Sequence, residues 1–208
     1  MTAHAVRARD NGHMLVEHRG MRPEVDPSAW IAPTAVVCGD VTIAADARIL
    51  WNAVVTAEDG RVEIGARCVV MENALVRGRA AHPVTIGPDV LIGPQAHVNG
   101  ATIGAEAFIA TGAALFPGAR VGARAEVRIH GVVHVNSTVA AGGLVPIGWV
   151  AVGGQVLPPD RHEEIWAIQR ELDFPGTVYG QPRGDDLMAR VMPRQVAWLA
   201  AHRDDRTL

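Results

Sequence analysis

The sequence predicts an all-β solenoid followed by α-helices, and three observations support this prediction. An aliphatic residue returns every six positions from Ile31 to Val145, apart from a few slips. The fifth residue of most six-residue units is small, as at Ala47 and Ala107. The chain of 208 residues has 22 glycines but only 4% aromatic residues, which suits thin repeated layers rather than large packed helices. Short strands that end in tight corners produce this pattern.

Three six-residue units complete one triangular coil, so residues three units apart are predicted to stack on the same face. The clearest run of the repeat covers residues 84–118. The leading positions are Ile31, Val37, Ile43, Ile49, Val55, Ile64, Val70, Val76, Ile86, Ile92, Val98, Ile103, Ile109, Leu115, Val121, Val127, Val133, Val139 and Val145.

Two segments, 56–61 and 77–83, are longer than the period allows. A solenoid absorbs extra residues as corner loops, so we expect both segments to project side by side. They are either a binding feature or tolerated surface variation. An opening strand is expected near residues 13–18, and Trp30 is a candidate cap for the open end of the repeat. The chain thus divides into an N-terminal segment with the opening strand (1–30), a β-helix (31–157) and a helical segment (158–208).

The repeat stops after Val150, and the residues that follow predict a helix over 160–172. Asp160 suits the N-cap position, and Glu163 is placed to complete a capping box. FPG at 174–176 is expected to end this helix.

A loop containing Tyr179, the one tyrosine of the chain, is expected to lead to a second helix over 185–202. Pro193 predicts that this second helix is bent or interrupted, because proline lacks the N–H that a helix interior needs. Both helices are expected to pack along the outside of the solenoid.

Composition excludes several classes of function. The formal net charge of -3 argues against general affinity for nucleic acid. No run approaches the roughly 20 apolar residues of a membrane span, and the first residues lack the apolar segment of a signal peptide. Cys38 and Cys68 are the two cysteines and form no metal-type pair, so a reduced, cytoplasmic setting is expected.

Three stretches resemble the γ-class carbonic anhydrases. They are RPEVDPSAWIAPTAVVCGDVTI at 22–43, ILWNAVV at 49–55 and the repeats of 86–118. The second is similar to the family's Ile-Trp-x-Asn-Ala-Val segment with the tryptophan moved by one position. The resemblance covers roughly residues 15–172, and it implies a left-handed parallel β-helix that forms a homotrimer with sites at the subunit interfaces.

The resemblance also implies where zinc ligands should stand, and this sequence departs from the family there. Arg77, Pro94 and Asn99 occupy the positions of the three zinc histidines. The family's Arg-Gly-Asp is replaced by residues 56–58, and its glutamine near the metal by Met71. Zinc needs neutral nitrogen or anionic donors. The family's zinc site, and with it carbonic anhydrase activity, is therefore not expected, and no cofactor is predicted.

Stacking by phase predicts which residues replace that site. On one face, the residues that directly follow the leading aliphatic positions should form a column: Cys38, Thr56, Arg77, Asn99, Phe116 and His134. The adjacent corner should carry a second set: Trp51, Glu72, Pro94 and Thr111. The Arg77 guanidinium suits a carboxylate or phosphate held bidentately, with Asn99 as a neutral donor. The alternative is that Arg77 pairs with Glu72, within a chain or across an interface, and merely fills the space.

His97 is the first choice for a general acid or base, because an unperturbed imidazole titrates near neutrality. The predicted catalytic set is His97, Arg77 and Glu72. The predicted substrate-binding set is Asn99, Gln95, Glu58, His82, His134 and Tyr179. A relocated metal site built on His82 and His97, with Glu72 or Glu58, is a further possibility. The histidines outside the repeat are expected at the surface: His4, His13, His18, His162 and His202.

Three functions follow from these patterns. The first is a trimeric, zinc-less γ-carbonic-anhydrase-like protein that binds or acts on a small anionic or polar metabolite at the subunit interface. The second is a hexapeptide acyltransferase that uses His130 or His134 as its base. The third is a non-catalytic scaffold or assembly subunit. The expected partners are further copies of the chain and a small molecule, but neither nucleic acid nor a membrane.

Overall fold

The computed structural model describes residues 14–208, so the positions of His4 and His13 lie outside the described residues. The opening strand predicted near 13–18 is confirmed as a strand over Met14–Glu17. The predicted parallel β-solenoid is confirmed, with short helices at its C-terminal end. The strands are β1 (Met14–Glu17), β2 (Glu24–Val25), β3 (Trp30–Ile31), β4 (Val36–Ile43), β5 (Arg48–Ile49), β6 (Val54–Ile64), β7 (Val69–Val70), β8 (Leu75–Gly78), β9 (Val84–Ile86), β10 (Leu91–Ile92), β11 (His97–Asn99), β12 (Thr102–Ile103), β13 (Phe108–Ile109), β14 (Ala114–Leu115), β15 (Arg120–Val121), β16 (Glu126–Val127), β17 (Val132–Val133), β18 (Thr138–Val139), β19 (Leu144–Val145), β20 (Val150–Val152), β21 (Gln155–Leu157) and β22 (Arg206–Thr207).

The six-residue phase predicts the stacking correctly. Strands three units apart pair in parallel, and their leading aliphatic residues lie directly opposite one another. One column reads Ile49, Val70, Ile92, Ile109, Val127 and Val145. All six side chains are completely buried, and burying each contributes about 1.5–3 kcal/mol. The core is therefore a stack of thin aliphatic layers, spaced about 4.8 Å apart as in any sheet.

Residues 56–61 are not a corner loop, as the phase predicts, but the middle of strand β6. Thr56 pairs with Arg77 in β8, and the strand continues until Val62 pairs with Val84 in β9. The register pairing stops at Ala57 opposite Gly78 and resumes at Val62 opposite Val84, so residues 58–61 cross the corner as extended chain beside the next coil's insertion. Gly60 permits this: a Cβ on it would lie 2.1 Å from the backbone of the next coil.

The second insertion turns back on itself at residues 79–82. The His82 N–H donates to the Arg79 carbonyl at 2.9 Å, which closes a tight turn. The Ala80 N–H donates to the Asp59 carboxylate at 2.9 Å. The two insertions therefore do lie side by side, but as an extended strand and a turn.

The first helix, α1, spans His162–Glu171 and begins later than the capping pattern predicts. Arg161 is its N-cap residue, without a side-chain cap bond, so the capping box of Asp160 and Glu163 is not formed. Arg161 instead pairs with Glu164 one turn along. Ile165 is buried against Val152 and Leu157, which holds α1 on the last coil.

The segment predicted as a loop around Tyr179 is a short helix, α2 (Phe174–Tyr179). Asp173 is its N-cap, in the left-handed region at φ 43°, and accepts a hydrogen bond from the Gly176 N–H at 3.1 Å. Pro175, which was expected to help end a helix, stands in the first turn of this one. Proline is tolerated there because the first N–H groups of a helix have no partner within it.

Helix α3 (Leu187–Leu199) continues through Pro193 rather than stopping at it, and a 3-10 helix (Ala200–Asp204) follows. The last residues then return to the first coil: β22 pairs antiparallel with β1, and the Leu208 N–H donates to the Leu15 carbonyl at 2.9 Å. The C-terminal segment is thus attached to the N-terminal strand. In residues 14–208, none of the helices has the length and apolar character that crossing a bilayer requires.

Candidate functional site

The predicted column of residues that follow the leading aliphatic positions is present in the structure. Thr56, Arg77 and Asn99 are register partners on strands β6, β8 and β11, and Cys38 on β4 extends the column below Thr56. Arg77 and Asn99, two of the positions aligned with the family's zinc histidines, are therefore neighbours. We call the surface formed by Arg77, Asn99 and His97 the Arg77 face.

Arg77 pairs with Glu58 within the chain, not with Glu72. Its Nε lies 3.6 Å from Oε1 of Glu58, whose side chain is buried. Glu72 is at the preceding corner, where its carbonyl accepts the Gln95 N–H at 2.9 Å. Gln95 itself is exposed, with a φ of 58° that the corner imposes. The structure thus brings Glu58 to Arg77 and leaves Glu72 and Gln95 at the corner.

Two buried polar atoms of this face lack a hydrogen bond. Oδ1 of Asn99 has no partner, and Nε of Arg77 meets only the Glu58 carboxylate, at an ion-pair distance of 3.6 Å. Most buried polar atoms in proteins are partnered, and each one left unsatisfied costs about 1–3 kcal/mol. The Asn99 oxygen is therefore free to accept a hydrogen bond from a further group.

His97 lies two residues before Asn99 on β11, so both side chains point outward from the same strand. Burial, together with the charge of Arg77, lowers the pKa of His97. Its imidazole is therefore neutral near pH 7 and can accept a proton. Its ring packs against Phe116, with centroids 6.1 Å apart.

An aromatic cluster continues the column toward the helices. Phe116 contacts His134 and Phe174 at centroid distances of 6.2 and 6.1 Å, and Tyr179 meets Phe174 edge-on at 6.2 Å. Burial lowers the pKa of His134. His134 also lines a cleft of about 340 Å³ that includes Phe174 and Arg183.

His82 and Tyr179 line a different cleft, of about 320 Å³, between the 79–82 turn and the C-terminal helices. Arg79 donates to the Val178 carbonyl at 2.9 Å and lies over the Trp198 ring, 4.7 Å from its centroid. Burial and the nearby Arg79 charge lower the pKa of His82. His82 also lies against Gly100, the residue after Asn99, where a Cβ on that glycine would meet the His82 Cβ at 2.5 Å.

The prediction that His18 is a surface residue is wrong, whereas His162 is exposed as predicted and the His202 side chain is 36% exposed. His18 is only 1% exposed, and its Nδ1–H donates to Asp205 at 2.6 Å. His202 donates from Nδ1 to the other oxygen of Asp205 and from Nε2 to Glu58, both at 2.8 Å. The two rings stack with centroids 4.3 Å apart. We call His18, Cys38, Glu58, His202 and Asp205 the clasp, because it joins the C-terminus to the first coils.

The acidic and basic side chains of the clasp stabilise one another's charged forms. Burial disfavours the charged ring of His202, but its hydrogen bonds to Asp205 and Glu58 nevertheless raise its pKa. Burial likewise opposes ionisation of Asp205, yet the bonds from His202 and His18 lower the pKa of that carboxyl. Burial and the charge of Asp205 raise the pKa of the Cys38 thiol to about 11.

Sequence patterns could not have identified the clasp. His18 and Asp205 are 187 positions apart, and their meeting depends on how the C-terminal segment returns to β1. Cys38 was placed on the correct column by the repeat, but nothing in the repeat shows what covers it.

The fold and the site define a class of protein. No protein-family profile matches the chain. A solved hexapeptide transferase family protein from Anaplasma phagocytophilum superposes with a TM-score of 0.61 at 20% identity, covering 92% of this chain and 97% of that one. The coils, the six-residue repeat and this neighbour identify a left-handed β-helix of the hexapeptide-repeat class.

Sequence similarity narrows the class further. The mitochondrial gamma carbonic anhydrase 1 of Arabidopsis thaliana is 32% identical over 156 residues, which cover 71% of this chain and 54% of that protein. A carbonic anhydrase of Geobacillus kaustophilus is 27% identical over 109 residues, covering 52% of this chain and 60% of its own. The chain is thus a γ-carbonic-anhydrase-like protein, and it spans about half the length of the first of the curated relatives it matches.

Proposed function

We propose that the chain is a γ-carbonic-anhydrase-like protein without the family's zinc site, and that it binds a small anionic or polar metabolite at the Arg77 face. The supporting observation is that Oδ1 of Asn99 is buried without a hydrogen-bond partner beside the Arg77 guanidinium, whose Nε meets only Glu58, at 3.6 Å. A ligand that bonds to these atoms recovers the free energy that their burial costs.

The residues at the family's zinc positions do not suit that ion. The guanidinium of Arg77 is a permanent cation, Pro94 has no side-chain donor atom, and Asn99 offers only a neutral amide oxygen. Zinc in proteins is held by thiolates, imidazoles and carboxylates. Glu58 lies 3.6 Å from Arg77 but is also engaged by His202, so it does not compensate. Zinc-hydroxide chemistry is therefore not part of the proposal.

Each residue of the Arg77 face has a distinct task in this proposal. The Arg77 guanidinium binds a carboxylate, bicarbonate or phosphate through two parallel N–H groups. Asn99 adds a bond beside it, since the two residues are register partners. His97 is held neutral by burial and by Arg77, so it serves as the base for any proton that the bound molecule gives up.

A neighbouring copy of the chain completes the site in this proposal. Large apolar side chains are exposed on the single chain, among them Ile129, Leu144 and Ile147, at 43%, 50% and 66%. Exposed apolar residues can mark protein interfaces, but these three lie on or near β16 and β19 and not on the Arg77 face itself. The resemblance to γ-class enzymes supports a homotrimer with the Arg77 face at the boundary between subunits.

Calorimetric titration of the purified protein with bicarbonate, phosphate and dicarboxylates tests the proposal. Arg77→Ala should weaken binding of the preferred anion at least tenfold, because the charged partner is lost. Arg128→Ala is the matched control, since Arg128 is also paired with one carboxylate, Glu126, at the surface. An Arg77→Ala protein that binds every anion as well as the wild type contradicts the proposal.

The same titrations separate the two alternatives. Acetyl-coenzyme A belongs in the panel because His134 lines its own cleft of about 340 Å³ beside Arg183. Binding that requires His134 but not Arg77 favours an acyltransferase. A protein that self-associates and binds none of these molecules favours a scaffold.

A further inference from the structure

We propose that the clasp is a binding site for a divalent transition-metal ion of the zinc class, with His18, Cys38, His202 and Asp205 as its ligands. None of these four ligands belongs to the Arg77 face, although Glu58 contacts both regions. The site is also separate from the positions of the family's zinc histidines, because Cys38 lies two coils below Arg77 on the column.

The four ligand atoms already converge. One nitrogen from each histidine, the Cys38 sulfur and one Asp205 oxygen all lie within 4.8 Å of one another. In a tetrahedral zinc site with bonds of about 2.0–2.3 Å, the ligand atoms lie about 3.3–3.8 Å apart. Side-chain movements of about 1 Å or less therefore complete the tetrahedron. His18 and Cys38 are buried and Asp205 and His202 half-buried, so the ion would be enclosed by the protein.

The donor set selects the kind of ion. Two imidazole nitrogens, a thiolate and a carboxylate are borderline-soft ligands, which suit zinc and cobalt rather than magnesium or calcium. The charges also balance, because the thiolate and the carboxylate neutralise a dication when both imidazoles are neutral.

An outer shell that orients the ligands is present. His202 donates its Nε2–H to Glu58 at 2.8 Å, which turns Nδ1 toward Asp205 and the centre of the site. Glu58 is in turn held by the Thr56 hydroxyl at 3.4 Å and by Arg77 at 3.6 Å. Carboxylates that accept the second N–H of a ligating histidine are typical of protein metal sites.

Metal binding replaces protons, and the exchange can be written in full. The Cys38 thiol and the Nδ1–H of His202 each release one proton to solvent. His18 moves its proton from Nδ1 to Nε2, which frees Nδ1 to bind the ion. Arg19 now donates to both His18 Nε2 and the Glu58 carbonyl, at 3.2 and 3.1 Å, so it keeps the carbonyl bond when the first is lost.

A path from solvent leads to the clasp. A cleft of about 220 Å³ is lined by His18 and Glu58, with Asp40 and Asp59 also on its walls. Carboxylates along a cleft raise the local concentration of cations. An ion can therefore reach the clasp without opening the solenoid core.

Cobalt titration of the chelator-treated, full-length chain tests this assignment. One equivalent of Co²⁺ should produce a thiolate-to-cobalt charge-transfer band together with the strong visible absorption of a tetrahedral site. Cys38→Ser should abolish the charge-transfer band. Cys68→Ser is the matched control, because that thiol is also buried but bonds to the Gly87 carbonyl at 3.0 Å, and the band should remain.

Further variants test the assignment even if Cys38→Ser does not fold. Glu58→Gln should weaken zinc affinity about 10–100-fold, as expected for an outer-shell carboxylate, and Asp205→Asn should weaken it more. Arg77→Ala should keep the cobalt spectrum, so failure of the anion proposal and failure of this one are distinguishable. The assignment is overturned if wild-type protein gives no thiolate band, or if Cys38→Ser keeps it. Loss of the ion on His82→Ala/His97→Ala replacement, with the clasp variants unaffected, would instead support the relocated site.

Discussion

The Arg77 face and the clasp share one column of the solenoid but satisfy their polar groups differently. In the clasp, His18, His202, Asp205 and Glu58 bond to one another at 2.6–2.8 Å. On the Arg77 face, Oδ1 of Asn99 is buried without a partner, and Arg77 meets Glu58 only at 3.6 Å. The clasp is thus a network of partnered polar groups, whereas the Arg77 face is a surface that the proposed anion would complete. Glu58 belongs to both regions, because it contacts His202 and Arg77.

The two regions also differ in origin. The Arg77 face comes from consecutive coils, so its neighbours are separated by one turn of the repeat. The clasp joins the first strand, an early coil and the last residues of the chain. Its formation therefore requires the whole solenoid and the C-terminal helices to be in place.

The largest expected effect is that of removing Glu58. Glu58→Ala leaves His202 without its Nε2 partner and Arg77 without its carboxylate. Removing one member of a buried ion pair typically costs about 3–5 kcal/mol, and we expect about 3 kcal/mol here because Arg77 is 37% exposed. Urea unfolding monitored by circular dichroism measures the change.

Glu63→Ala provides the control for that measurement. Glu63 pairs with Arg61 at 3.0 Å, but both side chains are about half exposed. Surface pairs contribute about 0–1 kcal/mol, so the loss should be small. Equal losses in the two variants would show that Glu58 does not connect the clasp to the Arg77 face.

The repeat predicts the neighbours on the column because, in a solenoid with a fixed period, residues three units apart are opposite one another on paired strands. Ile49 opposite Val70 and Arg77 opposite Asn99 both follow from counting units. The prediction fails where the chain leaves the period. Residues 56–61 contain glycine and charged residues that suggest a loop, yet the chain stays extended between the pairs Ala57–Gly78 and Val62–Val84.

Counting the units of the repeat cannot predict the clasp, and the reason is physical. The positions of His202 and Asp205 depend on how three helices pack and on β22 pairing with β1. These are tertiary contacts between residues far apart in sequence, and no local pattern encodes them. Isolated histidines outside a repeat are usually exposed, which is why His18 was misplaced.

Asn99→Leu should change the folding stability less than Glu58→Ala does, and should increase it. Oδ1 of Asn99 is buried without a partner, and leucine of similar size removes that unsatisfied atom. The variant should be more stable by about 1 kcal/mol, while losing affinity for the anion. Differential scanning calorimetry without ligand measures the stability.

Thr56→Val is the informative contrast, because Thr56 stands on the same column with its hydroxyl bonded to Glu58 at 3.4 Å. It should be less stable by about 1 kcal/mol, since a partnered group is removed. If Asn99→Leu is also destabilised, Oδ1 of Asn99 has a partner, and the case for an incomplete site is weakened.

The smallest expected effects are pH-dependent and of opposite sign in the two regions. The pKa of His97 is lowered in the folded chain, so below about pH 6.5 the unfolded state takes up the proton first. Stability that His97 supports above that pH is therefore lost as pH falls. The pKa of His202 is raised, so its contribution is complete below about pH 6.5 and is lost as pH rises through its folded value.

Urea unfolding of chelator-treated protein at pH 7 and pH 5 tests these signs with two matched glutamine variants. His97→Gln should lose less stability than the wild type on acidification, and His202→Gln should lose more. The lowered pKa of Asp205 affects stability only below its ordinary value near 3.8, outside this window. Some acid sensitivity should remain in His97→Gln, because burial also lowers the pKa values of His82 and His134. If both variants shift in the same direction, the clasp and the Arg77 face are not electrostatically distinct, since only opposite pKa shifts give opposite responses to acid.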